Sequence, residues 1–308
     1  MTEPLVSVNI ITYNQGLFIA QAIDSVLAQN TNFDYEIVIG EDCSTDRTRE
    51  ICLDYQKKYP DKIKLLLNEK NIGMMPNFIQ TFSACKGKYI ALLEGDDYWI
   101  EHYKLQKQVD FLEAQPEYSM VFTARNVVDK EGNFIRAERY PDKIYKTKDV
   151  IESFIPSTQT IVMRNYQNLT EFLKKNYLHP SGDRLITYFC SLFGDIFYLD
   201  DITSVYRESG EGVWSSFDLN QRRKLFLKRF IEFHKILGLG NQNLLIINIA
   251  VKEFFTCIKT NFKKPHIVII NYSKWYKEFL RNIPFYLVIF VTMQLIKNKI
   301  SIFFKKPK

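Results

Sequence analysis

Short apolar runs alternate with helical spacing along the N-terminal third of the chain, and each run ends in a polar cluster. Residues 6–11 (Val-Ser-Val-Asn-Ile-Ile) read as a strand, and Tyr13 to Gly16 as a turn. Residues 17–28 carry a helical apolar pattern. A second strand is expected over 36–40 and a helix over 47–59, with Ser44, Thr45 and Asp46 offering N-caps and Pro60 closing it. A third strand over 63–67, a loop at Asn71-Ile72-Gly73, a helix over 77–85 and a fourth strand over 89–93 complete the series. This alternation predicts an α/β fold, a Rossmann-like and mostly parallel sheet with helices on both faces. In such sheets ligands bind beyond the carboxyl ends of the strands. Thr12-Tyr13-Asn14, Glu41-Asp42 and Glu94-Gly95-Asp96-Asp97 each follow a strand, so they are expected to converge on one edge.

The order changes after residue 100. A helix is expected over 103–113, strands over 119–125 and 134–139 around Lys130-Glu131-Gly132-Asn133, further strands over 157–164 and 195–206, and a helix over 183–193. From about residue 219 the chain reads as helix alone. The division expected is an α/β domain over 1–216 and an all-helical extension over 217–308.

Charge sharpens the picture of that extension. The net charge of +6 is carried by the tail: no acidic residue follows Glu278, whereas Arg281, Lys297, Lys299, Lys305, Lys306 and Lys308 do. The rest of the chain is formally neutral, which argues against nucleic acid as a partner of the main domain. Residues 283–296 form an uncharged apolar run of fourteen, short of the roughly 20 that a spanning helix needs. Gln294, Lys297, Asn298, Ser301 and Lys305 make a polar stripe along it. Two outcomes fit the tail over 283–308: a helix lying in a membrane interface, or a helix packed on the protein with a basic end. Five scattered cysteines without a CxxC pair fit reduced thiols of a cytoplasmic protein, and the N-terminus lacks a secretory pattern.

The most informative residues are Glu94, Asp96 and Asp97, three carboxylates directly after the apolar run 89–93. Carboxylates at the end of a buried strand are costly unless compensated. A divalent cation, Mg²⁺ or Mn²⁺, prefers oxygen ligands and also neutralises a diphosphate. The plain alternative is a solvated acidic turn. A dinucleotide fingerprint and a P-loop are both missing, and the four histidines lack zinc spacing.

Taken in order, these motifs resemble the inverting GT-A glycosyltransferases of family 2. Residues 6–14 are similar to that family's first strand and nucleotide loop, and 36–46 to its second strand and loop. Lys70-Asn71-Ile72-Gly73 matches the third loop, Glu94-Gly95-Asp96-Asp97 the DxD metal motif, Gly182-Asp183 the site of the general base, and 206–215 the closing loop. The likeness covers roughly residues 5–215, and its specificity lies in the joint order. It departs from the family in two places: Glu94 stands at the first DxD position, and Ser209 where many relatives carry a metal-side His.

The resemblance implies a GT-A fold and a nucleotide-sugar donor. The donor pocket would use Thr12, Tyr13, Asn14, Glu41, Asp42, Lys70, Asn71, Gly73, Asn77, Glu94, Gly95, Asp96 and Arg207. Asp96, with Glu94 beside it, would hold Mn²⁺ or Mg²⁺, and Asp183 would be the base. Asp97, Tyr98, Trp99 and Gly182 would meet the sugar or acceptor. Each position has a simpler role open to it. Asp42 can form an Asx turn, Asp183 can stabilise a helix N-terminus, and Tyr98 and Trp99 can be core plugs. The expected function is transfer of a sugar, with UDP as the expected carrier, to a glycan or lipid-linked glycan acceptor for a surface polysaccharide. The setting would be the inner face of the cell membrane, through the tail. The competing expectation is a decayed GT-A fold serving as a membrane-associated binding or scaffold protein, which Glu94 and Ser209 favour.

Overall fold

The computed structural model describes residues 3–152, 154–179 and 181–208, with six scattered positions between 225 and 237. The chain divides into two compact units, Met1–Ser215 and Ser216–Lys308. Apart from those six positions, the expected helical extension lies outside the described residues, as do its tail, Ser209 and the closing loop after it.

The first unit is built on one mixed sheet. Its elements run β1 (Val6–Thr12), α1 (Ile19–Leu27), β2 (Tyr35–Glu41), α2 (Thr48–Lys58), β3 (Ile63–Leu67), α3 (Met74–Ser83), β4 (Tyr89–Glu94), β5 (Tyr98–Trp99) and α4 (Lys104–Ala114). There follow β6 (Tyr118–Asp129), β7 (Phe134–Glu138), β8 (Ile144–Tyr145), α5 (Thr147–Glu152), a 3₁₀ turn (Thr158–Thr160), β9 (Val162–Arg164), α6 (Leu169–Lys175), α7 (Gly182–Ser191) and β10 (Asp195–Glu208). The strand order is β3-β2-β1-β4-β9-β6-β10-β5, with β7 on β6 and β8 on β10. β3, β2, β1 and β4 are mutually parallel, as are β6 and β10. The short β9 joins the two parallel groups, antiparallel to both.

Coverage of both faces explains why residues 37–39 and 89–93 read as unbroken apolar runs. Val6, Val8, Ile10, Ile37, Ile39, Ala91 and Leu93 are fully or almost fully buried, packed with Ile19, Ala22, Ile23 and Val26 of α1. The polar residues of these strands are satisfied at once. Ser7 donates to Glu36 (2.6 Å) and accepts the amides of Lys86 (3.0 Å) and Gly87 (2.8 Å).

Several boundaries differ from the sequence expectation. α1 starts at Ile19, because the chain still turns at Leu17, which is 80% exposed. α3 starts at Met74, not 77: Pro76 lies in its first turn, where a missing N–H costs nothing. The strand expected over 157–164 divides into the 3₁₀ turn and β9. β5, β8, α5 and α6 were not foreseen. Each is short, and none carries enough periods to stand out.

Lys104 is an oddity of the core. It is fully buried on α4, donates to Gln108 Oε1 (2.7 Å), and its ammonium lies 4.3 Å from the Trp99 ring centroid. Burial pushes its pKa well below the ordinary lysine value. The folded state therefore holds this proton less tightly than the unfolded chain. Its contribution to stability improves as pH rises toward the unfolded value of about 10.4. Lys104→Met should raise the melting temperature at neutral pH, with the gain shrinking toward about pH 10. Thermal unfolding across that range checks it; an equal loss of stability at every pH would reject it.

Candidate active site

The three expected polar clusters do meet. Thr12 pairs with Glu41 and Ile11 with Glu94, so β1, β2 and β4 end at one level of the sheet. Beyond that level the loops are stitched to one another by side chains. Asn14 takes a left-handed backbone (φ 52°), which Asn tolerates. Its N–H donates to Ser44 Oγ (2.9 Å), and its Oδ1 accepts the Thr45 N–H (2.8 Å). Gln15 N–H donates to Thr48 Oγ1 (2.8 Å), and Gly16 N–H to Asp46 Oδ2 (2.8 Å). Asp46 rather than Ser44 also accepts the amide at the start of α2, from Thr48 (3.0 Å).

Asp42 closes the third loop. Its carboxylate accepts Asn68 Nδ2, the Ile72 N–H and the Gly73 N–H, each at 2.9 Å. Those bonds hold Lys70 and Asn71 outward, both exposed. Glu41 is fully buried, with Oε1 taking the Ser44 N–H (2.6 Å) and Oε2 paired with Arg49. Asn77 is buried too, donating to Gly40 O (2.9 Å) and accepting from Asn68 (3.1 Å). Glu41 and Asn77 thus build the loops, whereas Tyr13, 44% exposed, presents its ring at the rim. Asp42→Ala should release the 68–73 loop and cost about 2 kcal/mol. Hydrogen exchange at Ile72 and Gly73 is the check: it should accelerate, and unchanged exchange would reject the clamp.

At the end of β4, ligand atoms of Glu94, Asp96 and Asp97 lie within 4.8 Å of one another. Gly95 makes this turn possible: a Cβ there would sit 2.5 Å from Gln15 Oε1 and 2.8 Å from Thr12 Oγ1. Thr12 Oγ1 donates to Gln15 Oε1 (2.8 Å), and the Gln15 amide in turn bonds Asp96. Asp97 is buried; Oδ1 accepts the Arg207 N–H (2.9 Å), and Oδ2 has no hydrogen-bond partner among the described residues.

Burial, then repulsion from Asp96 and Asp183, pushes the Glu94 carboxyl up to about 8. Asp96 is raised by burial, and Asp97 is raised well above the carboxylate range by burial and by its two neighbours. Asp183, in the first turn of α7, thus contributes negative charge to the surroundings of Glu94. Its Oδ1 accepts the Arg184 N–H (2.8 Å). The N-terminus of α7 is seated against α3, since a Cβ on Gly182 would lie 2.6 Å from Met75 Sδ.

Two arginines face this acidity. Arg207 is buried: Nε donates to Asp96 O (3.2 Å), one terminal nitrogen to Gln21 Oε1 (2.7 Å), and its plane covers Phe18 and Tyr98. Arg207 thus fastens β10 to the acidic turn and to α1. Arg125 was missed in the sequence. It lies mid-strand in β6, is held by Glu138 (2.7 Å) and stacks 4.4 Å from the Tyr206 ring centroid. Its charge lowers the pKa of Glu94 and Asp97. Only the pairing of β6 with β10 brings it there, and no local motif marks it. Trp99 is a core plug, with Nε1 donating to Gln159 O (2.9 Å), and Tyr98 is half-buried under Arg207.

Hard oxygen donors, mutual repulsion and an unpartnered buried oxygen together suit a divalent cation of the Mg²⁺ or Mn²⁺ type. Raised carboxylate pKa values mean that the folded protein without metal holds extra protons. Its stability should fall as pH rises from about 4.3, the unfolded Glu value, through about 8. Mn²⁺ must displace those protons, so it should raise the melting temperature more at pH 8 than at pH 6. Asp96→Asn should abolish the Mn²⁺ effect; an equal shift in that variant would reject the assignment.

Known proteins share this plan. The model of Glycosyl transferase family 2 matches residues 7–181. The Uncharacterized protein Rv1520 of Mycobacterium tuberculosis is 30% identical over 221 residues, covering 69% of this chain; the chain spans 61% of that relative's length. The putative teichuronic acid biosynthesis glycosyltransferase TuaG of Bacillus subtilis is 33% identical over 130 residues, 42% of this chain and 50% of its own. In structure, S. aureus TarS in complex with UDP-GlcNAc superposes with a TM-score of 0.61 at 18% identity, over 92% of this chain and 82% of that one. That likeness shows the GT-A-like mixed sheet. Among the described residues no helix is long and apolar enough to cross a membrane.

Proposed function

The chain belongs to glycosyl transferase family 2, and from that premise we propose that it transfers a sugar from a UDP carrier to a glycan acceptor with inversion at the anomeric carbon. The observation that supports this reading is the cluster of Glu94, Asp96 and Asp97, whose ligand atoms lie within 4.8 Å of one another, together with the negative charge of Asp183, which helps to raise Glu94. A leaving diphosphate and a proton acceptor are then served at one site. Relatives support the setting: TuaG is named for teichuronic acid biosynthesis, and the TarS complex holds UDP-GlcNAc on the same fold.

In this mechanism the loops stitched by Asn14 and Asp42 hold the nucleoside, with Tyr13 stacked on the base. Asp96 and Glu94 would hold the cation, whose charge would offset that of the departing diphosphate. Asp183 takes the proton of the acceptor hydroxyl as its oxygen bonds the anomeric carbon. The bond to the diphosphate breaks on the opposite face, and the electron pair leaves with UDP. The acceptor is a lipid-linked glycan, and the basic tail holds the enzyme at the inner membrane face.

Asp183→Asn keeps the size of the side chain but cannot take a proton. Transfer should fall by roughly 10²–10⁴-fold while donor affinity stays near wild type. A nucleotide-release screen over UDP-, GDP- and dTDP-sugars, with the anomeric configuration of the product read by NMR, provides the measurement. A retained product, or unimpaired turnover in the variant, would sink the assignment. Nucleotide binding without turnover on any donor, with or without Mn²⁺, would instead support the scaffold reading that Glu94 favours.

A further inference from the structure

The turn that leads into α7 breaks a rule of turn chemistry. His179 N–H donates to Asn176 O (2.9 Å), which places Tyr177 and Leu178 at the two corners of a four-residue turn. Corners ordinarily carry Gly, Asn, Asp, Pro or Ser. Here they are apolar and outward: Leu178 is 81% exposed and Tyr177 48%.

The exposure is built in rather than slack. On one side Asn176 is fixed, its Nδ2 donating to Phe172 O (2.8 Å). On the other, His179 is buried and its Nδ1 accepts the Ser181 N–H (3.2 Å). With both flanks tied inward, the two apolar side chains are left exposed beyond the described residues that hold the turn. A single exposed leucine is unremarkable on any surface. A fixed apolar tip with particular charges around it is a different object.

Those charges are mainly basic. Lys174 and Lys175 end α6, directly before the turn. Lys174 has one acidic neighbour, Glu171, at 4.0 Å, with both side chains more than half exposed. Aromatic and aliphatic tips beside lysines are the pattern of a surface that dips into the headgroup region of an anionic bilayer.

We propose that residues 174–178, the end of α6 and the turn after it, form a lipid-docking edge that contacts an anionic bilayer. Leu178 and Tyr177 enter the interface, and the lysines meet lipid phosphates. The docking edge does not rest on the glycosyltransferase reading.

The test uses the full chain and floats it with vesicles of phosphatidylcholine, alone or mixed with phosphatidylglycerol. Wild type should float with the mixed vesicles only. Tyr177→Ser combined with Leu178→Ser should lower that binding roughly tenfold, and Lys174→Gln combined with Lys175→Gln should lower it by a comparable factor. Nucleotide release on a soluble acceptor should match wild type in both variants. Binding that persists in both, and disappears only when the six basic residues of the tail become Gln, overturns the edge and gives the contact to the tail. Loss in the lysine variant alone rejects apolar insertion. A large drop in melting temperature for Tyr177→Ser with Leu178→Ser shows that protein covers this turn, and overturns the proposal as well. Failure of nucleotide release in wild type would strike the glycosyltransferase reading and leave the flotation result standing.

Discussion

Mutual repulsion among Glu94, Asp96 and Asp97 is the constraint around which the site is arranged. Three acidic side chains within 4.8 Å, at the end of a buried strand, lie where water screens them poorly. Left alone they hold protons that solvent carboxylates would release. Arg125 and Arg207 supply the fixed positive charge, and each is locked by its own partners rather than free to swing. A group binding here is therefore met by a nearly rigid field. Rigidity of that kind is what transition-state stabilisation by charge requires, because no reorganisation is needed at the moment of reaction.

The same economy of side chains runs through the loops. Asp42 and Glu41 spend their oxygens on backbone amides and on Arg49, not on solvent. Buried amides without partners would cost free energy, and loops at a ligand-binding edge are rich in them. Strand-end carboxylates satisfy several at once and fix the spacing between loops. A side chain can thus be essential to a pocket without touching what the pocket holds.

Much of this was legible in the sequence, for reasons that can be stated. β2 and β4 announce themselves because helices cover both faces, so residues 37–39 and 89–93 are unbroken apolar runs; in β1 and β3 apolar positions are interrupted by Ser7, Asn9 and Lys64 but still stand out between turn residues. The convergence of Thr12, Glu41 and Glu94 follows from parallel order alone. What stayed hidden depends on distant partners. Arg125 becomes part of the site only through the long pairing of β6 with β10. The burial of Trp99 and Lys104 depends on α4 and on the 3₁₀ turn, and neither carries a signal in its own neighbourhood. Glu41 and Asn77 were expected at the ligand because polarity at a strand end looks the same whether it faces inward or outward. Only Arg49, Ser44 and Asn68 decide which.

β9 carries a consequence for how the two halves of the sheet are joined. It pairs with β4 only over Tyr89–Ala91 and with β6 only at Met120 and Val121. Toward Glu94 the ladder gives way to the 3₁₀ turn: Leu92 N–H donates to Ile161 O (3.3 Å), and Gln159 and Thr160 are buried. Gln108 Nε2 ties Val121 O to Thr160 O, and the Trp99 indole donates to Gln159 O. On that side the halves are therefore riveted by two uncharged side chains, not hemmed by a strand, so the footing of the acidic turn rests on residues that bear none of its charge.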